Sequence, residues 1–253
     1  MRALGNSALL RQTLTVLALF ALWEVLGRAG WIDPFYAPPP SAIGATLYQV
    51  FADGSIWPHL FATLTAALVG LGLGMAIGVV LGFAAALVRP LADLLEPIMI
   101  LLNAIPRVIL APLFIIWFGI GLGSKIAISL VLVAVLIFFA VYSGIREVDV
   151  RLVERIRTLG GGRTTLLREV YIPSVAAWIM GNLKVAVGFA FTGAVVGEFV
   201  ASSRGLGYLL SFAQSTYNSA MTIALIFLIM AFVLILFGLA GRLERWLLAW
   251  RYA

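Results

Sequence analysis

The chain has 253 residues, of which 63% are hydrophobic and 11% charged, where a water-soluble domain is about 45–50% apolar and about 25% charged. This composition excludes an ordinary soluble fold, and the absence of cysteine with a single histidine, His59, excludes disulfides, thiol-ligated metals and a multi-histidine centre. The net charge of +6 does not mark a nucleic-acid partner, because the basic residues sit between apolar runs instead of forming one soluble basic face.

A membrane-spanning helix needs roughly 20 mostly apolar residues, and the chain supplies six such runs. The first covers about 9–27, with Glu24 near its end and Arg28 beyond it. Its basic start resembles a signal peptide, but no small-x-small cleavage site follows and more spans do, so it reads as an uncleaved anchor. The segment 31–58 then carries Pro38-Pro39-Pro40, which favours an extended stretch. Residues 41–52 read as a short surface helix with Ser41 as its N-cap.

The second span, 60–88, is uncharged and carries Gly70, Gly74, Gly78 and Gly82 at a strict spacing of four. Small residues in that register line one stripe of a helix and let another helix backbone approach closely, within the chain or across a dimer. The third span, 97–119, holds Pro97, Pro106 and Pro112, and Pro106 is expected to kink it mid-helix. Arg107 beside the kink is a charge inside a span and therefore a candidate for the translocation path. The fourth span covers 125–145.

The fifth span, 175–200, contains Lys184 and Glu198, fourteen residues apart. They share a face about 21 Å apart along the axis. Lys184 snorkels to the nearer interface on one reading and lines a solute path on the other. Glu198 marks the far boundary of the span or belongs to the same path. The uncharged run 205–241 is too long for one span and polar in its first half, which puts the sixth span at 220–240.

With the N-terminus inside, twelve Lys and Arg residues fall on the inner side, three (Arg28, Lys125, Arg204) on the outer side, and Arg107 and Lys184 within spans. The positive-inside rule then puts both termini in the cytoplasm. The whole of 1–253 reads as a single, all-α transmembrane domain.

Residues 146–173 form the longest polar stretch. Val148, Leu152, Ile156 and Leu159 recur at helical spacing while Glu147, Arg151, Glu154 and Arg155 cover the other faces, the pattern of an amphipathic helix. Gly160-Gly161-Gly162 break it, a second short helix carries Leu166, Leu167 and Val170, and Pro173 closes the loop before the fifth span. A membrane protein with such a projection presents it to a cytoplasmic partner.

The loop reads Glu154-x5-Gly160-x9-Val170-x-Ile172-Pro173, similar to the EAA loop of ABC importer permeases, whose pattern is Glu-Ala-Ala-x3-Gly-x9-Ile-x-Leu-Pro. Arg155 and Ile156 stand where that pattern has its alanines. The segments Ala104-Ile105-Pro106, Trp117-Phe118-Gly119-Ile120-Gly121 and Gly197-Glu198-Phe199-Val200-Ala201-Ser202-Ser203-Arg204-Gly205-Leu206-Gly207-Tyr208 look like the permeases of the taurine, alkanesulfonate, nitrate and bicarbonate group. Pro38-Pro39-Pro40-Ser41 matches that group's segment before its short helix.

The resemblance implies a type I ABC importer permease fold with six transmembrane helices in the bacterial inner (plasma) membrane. It implies a homodimer of permeases, two cytoplasmic ABC ATPase subunits and a periplasmic substrate-binding protein. Glu154, Gly160, Gly161, Val170, Ile172 and Pro173 would then frame the ATPase-coupling loop, and the solute would be a small anion. The chain would be non-catalytic and bind no cofactor, with ATP and Mg held by the ATPase. Its nearest glycine-rich string, Gly119 to Lys125, lacks the Gly-x4-Gly-Lys-Ser/Thr order of a phosphate-binding loop.

Three other functions compete. A self-contained secondary transporter or channel needs ion-coupling groups within the membrane, and Arg107, Lys184 and Glu198 are the candidates. An intramembrane enzyme needs a catalytic constellation that this chain lacks. A scaffold subunit would move no solute.

Overall fold

The structure is a computed structural model that describes residues 2–247, helices joined by turns and short irregular segments. In chain order the helices are α1 (Arg2–Arg28), α2 (Pro40–Ala52), α3 (Ile56–Leu87), α4 (Arg89–Ala104), α5 (Arg107–Phe118) and α6 (Leu122–Arg146). They continue with α7 (Val150–Thr158), α8 (Arg163–Leu166), a π turn (Leu167–Tyr171), α9 (Ile172–Val200), α10 (Leu206–Ser215) and α11 (Ser219–Leu247). Among the described residues, five helices are long and apolar enough to cross a membrane, and the bent pair α4–α5 makes up to six.

The third span departs from the expected kinked helix. The chain breaks at Ile105-Pro106, and the path bends by 109° between the segments on either side. A residue before proline is pushed out of the helical region, and Ile105 takes φ −70°, ψ 127°. Pro106 becomes the N-cap of α5, where its missing N–H leaves no intrahelical bond unmade. Pro97 and Pro112 remain inside α4 and α5.

Contacts divide the chain into two units, one within Met1–Pro58 and Leu209–Met230, the other within His59–Tyr208 and Ala231–Ala253. In the first, the N-cap of α2 is Pro39, with Pro40 as its first residue, and not Ser41. Proline suits that position because its fixed φ is helical and its missing N–H is not needed there. The Ser41 amide instead donates to the Glu24 carboxylate, 2.9 Å away, so an α1 side chain supplies the negative charge that a helix N-terminus favours. Phe35, Tyr36 and Tyr217 line an open cleft of about 230 Å³ in the same unit.

The second unit is built around α6. Of its apolar stretch 61% is buried, against 28% for α3, because α6 packs against α4, α5 and α9 and takes the glycine stripe of α3 as well. The glycine stripe of α3 faces it. A methyl group on Gly74 would lie 2.7 Å from the Leu130 carbonyl and from Val133 Cβ; on Gly78 it would lie 2.7 Å from the Ala134 carbonyl; on Gly82, 2.7 Å from Val141 Cβ; and on Gly70 it would overlap Ser129. From the other side α9 approaches the same serine, where a methyl on Gly193 would lie 2.8 Å from Ser129 Cα. Ser129 is fully buried between them, and its hydroxyl donates to the Ala190 carbonyl at 2.8 Å. Glycine at these crossings lets the backbones meet at distances no larger residue allows.

Candidate functional site

Among the described residues, two of the places that gather polar chemistry hold residues singled out by the sequence. The first is the segment between α6 and α9. Asp149 caps α7, its side chain accepting from the Arg151 amide at 2.8 Å. α7 has no buried residue, and along its apolar stripe Leu152 and Leu159 are exposed by 50% and 81%, with Ile156 between them half-buried. An amphipathic helix whose apolar stripe stays uncovered has a face to give to something else. The Glu154 side chain is exposed as well.

Gly160 turns the chain at φ +82°, a conformation that costs other residues about 1–2 kcal/mol. At Gly161 a methyl would press on the Ile156 carbonyl at 2.8 Å. The second half of the loop is not a separate helix ended by Pro173. From Arg163 to Val200 the helix runs on without interruption for 38 residues. Pro173 sits in the first turn of α9, directly after the π turn, where the Ile172 amide bonds back to the Leu167 carbonyl. That wider turn takes up the ring and the missing N–H that would otherwise break a regular helix. Leu166 and Val170 are buried, while Ile172 is half exposed.

The second place is a buried polar clasp around Glu198, which is 2% exposed and no boundary marker. Its Oε2 accepts from the Thr63 hydroxyl of α3 at 2.8 Å and from the Gly207 amide at 3.0 Å. Thr63 Oγ1 in turn accepts from the Leu206 amide at 2.8 Å. The first amides of α10 are therefore capped by side chains from two distant helices, with no local Ser or Asp in that role. One turn before Thr63, His59 Nδ1 accepts from the Gly205 amide at 3.1 Å, and its ring stacks on Tyr208 with centroids 5.8 Å apart.

Gly205 has φ +121°, and a methyl there would fall on the Glu198 carboxylate. Glycine meets both demands. Lys125 lies beside the clasp, 2% exposed, its Nζ donating to the Ala201 carbonyl at 2.7 Å and to the Ile120 carbonyl. Buried charges demand such partners.

The other sequence candidates lie apart from it. Lys184 points to α11, where its Nζ lies 3.1 Å from Glu244 Oε2. Gly241 leaves room for it, since a methyl there would sit 2.9 Å from Lys184 Cε. Arg107 opens α5; its side chain lies outside the described part of the structure. Lys184 and Glu198, placed on a shared face by spacing, thus serve different partners. Sequence reasoning missed Thr63, His59 and Lys125 as members of one network. The signal lay in Gly205 and Gly207, two glycines that follow Glu198 and leave space for its carboxylate.

Residues 74–248 match the family model described as the binding-protein-dependent transport system inner membrane component. The riboflavin transport system permease protein RibX of Chloroflexus aurantiacus is 34% identical over 236 residues, covering 93% of this chain and 88% of its own. The formylaminopyrimidine transport permease protein ThiX of Halalkalibacterium halodurans is 28% identical over 242 residues, covering 96% of each. The taurine transport system permease protein TauC of Escherichia coli is 28% identical over 243 residues, covering 93% and 88%.

A solved structure of the MetNI methionine ABC transporter in an inward-facing conformation superposes with TM-score 0.66 at 21% identity, covering 76% of this chain and 97% of that one; at that identity the likeness speaks for the fold. With the family model spanning more than half of the chain, and a relative above 30% identity nearly end to end, the chain belongs to the inner-membrane components of binding-protein-dependent transport systems, the permease subunits of ABC importers.

Proposed function

We propose that two copies of this chain form the translocation path of the importer, with both termini in the cytoplasm and the 146–173 segment seated on a cytoplasmic ATPase. ATP and Mg are held by that ATPase, and this chain transmits the motion. Glu154, Gly160, Gly161, Val170, Ile172 and Pro173 frame the loop. The observation that carries the reading is the uncovered apolar stripe of α7, with Leu159 81% exposed, beside a turn that only glycine adopts without strain. A binding protein delivers solute to the opposite face. The solute is a small anion such as a sulfonate or carboxylate, or a heterocycle; the relatives' names give taurine on one side and riboflavin and formylaminopyrimidine on the other.

Leu152→Glu with Leu159→Glu is expected to weaken co-purification of the ATPase at least about thirtyfold, the scale of losing an interface hot spot of about 2 kcal/mol. The chain itself should stay monodisperse, because both side chains are solvent-facing. Undiminished co-purification, or stable solute uptake by the chain without any ATPase, sinks the coupling assignment and favours a self-contained carrier.

A further inference from the structure

The cavity beside the loop has a composition that the coupling role does not use. Arg157 at the end of α7 and Arg163 at the start of α8 flank the Gly160–Gly162 turn and line one cavity of about 460 Å³ with Leu87, Leu166, Leu167 and Tyr171. That volume lies in the range of small-molecule sites, about 300–1,000 Å³. Among the described residues neither guanidinium has an ion-pair or hydrogen-bond partner. Segment 146–173 also carries six arginines against four acidic residues, so its field attracts anions.

The walls set the kind of anion. Leu87 is the last residue of the long apolar helix α3 and is 52% exposed, while Leu166 forms a buried wall. A free phosphate would engage the arginines and leave this apolar wall wet. A partner's carboxylate would do the same, since Leu87 ends a spanning helix and stands at the bilayer boundary. An amphiphile satisfies both parts, its phosphate in the guanidinium forks and its first acyl carbons along the leucines.

We propose that this cavity binds the headgroup of an anionic phospholipid, with phosphatidylglycerol as the probe. Basic pockets at the membrane boundary hold such headgroups, each basic residue contributing about fivefold in affinity. The proposal rests on the membrane embedding of α3 and not on the coupling reading, so either can fail alone.

The full chain in detergent would be titrated with dioleoylphosphatidylglycerol, dioleoylphosphatidylcholine or inorganic phosphate, and bound lipid counted by native mass spectrometry. Retention of phosphatidylglycerol over phosphatidylcholine is expected, with about a thirtyfold loss in Arg157→Gln/Arg163→Gln. Arg151→Gln/Arg155→Gln, the same charge change outside the cavity, should retain the lipid. Equal retention by both double variants and the wild type overturns the site, and so does an equal loss in the two variants, which would mean net charge alone. Displacement of the lipid by millimolar phosphate would mean a free-anion site. A cavity variant that loses the ATPase but keeps the lipid would assign the arginines to the protein interface. Either result ends the proposal.

Discussion

Gly74→Leu or Gly78→Leu is expected to abolish recovery of folded chain from the membrane, and the alanine variants to lower its thermal midpoint by about 3–10 °C. A single methyl at Gly74 would stand 2.7 Å from the Leu130 carbonyl, and one at Gly78 the same distance from that of Ala134. These are backbone atoms at the centre of α6, the most buried of the spanning helices, so no side-chain rotation relieves the overlap. Overpacking of this kind costs about 1–3 kcal/mol per methyl-sized insertion, and in a chain of this size about 1 kcal/mol moves the midpoint by about 2–4 °C.

The internal control is Gly72, on the same helix, where a methyl meets nothing within 4 Å. Gly72→Ala should leave the midpoint unchanged or slightly raised, since alanine favours the helix more than glycine does. The measurement is the loss of the monodisperse peak after heating in detergent. Equal midpoints for Gly72→Ala and Gly78→Ala would mean that α3 does not pack on α6 through this stripe.

These glycines also show what was legible in the sequence. A spacing of four in an uncharged run identifies a close-packing face without any coordinates. Which helix fills that face was not legible, because the partner is identified by depth: Ser129 takes the approach of both Gly70 and Gly193. The loop was legible in outline, since amphipathic period and triple glycine are local signals. Its second half was misjudged because Pro173 reads as a terminator, whereas the π turn just before it lets the helix continue. Pro106 was the reverse case. It was expected to bend a helix and in fact ends one, because the preceding Ile105 is itself driven to the extended region.

Glu198 was the hardest to place, since a carboxylate near the end of an apolar run has the look of a boundary marker. Its burial follows from Thr63, 135 residues away in sequence, and no local pattern encodes that pairing. The partners of Lys125 were hidden for the same reason. The sequence shows a lysine just before an apolar run, and the fold adds that it is buried and held by the carbonyls of Ile120 and Ala201.

Glu198→Ala should lower stability by about 2–4 kcal/mol, which is on the order of 10 °C in the same assay. The substitution strands the Gly207 amide in a buried site at about 1–3 kcal/mol, leaves the Thr63 hydroxyl only the longer bond to the His59 carbonyl, 3.2 Å away, and leaves a void where the carboxylate stood. Both lost bonds end on one atom, Oε2. Glu198→Gln can put its amide oxygen there and keep both, so it should cost about 1 kcal/mol or less. Thr63→Val should fall between them, because it removes the donor to Glu198 and the acceptor of the Leu206 amide while preserving shape. Thr63→Val combined with Glu198→Ala should cost less than the sum of the two, as expected of neighbours in one network. A glutamine variant as unstable as the alanine variant would change the account. The two share the loss of negative charge and differ in the acceptor, so the clasp would then be held by the field between Glu198 and the caged Lys125 and not by its hydrogen bonds.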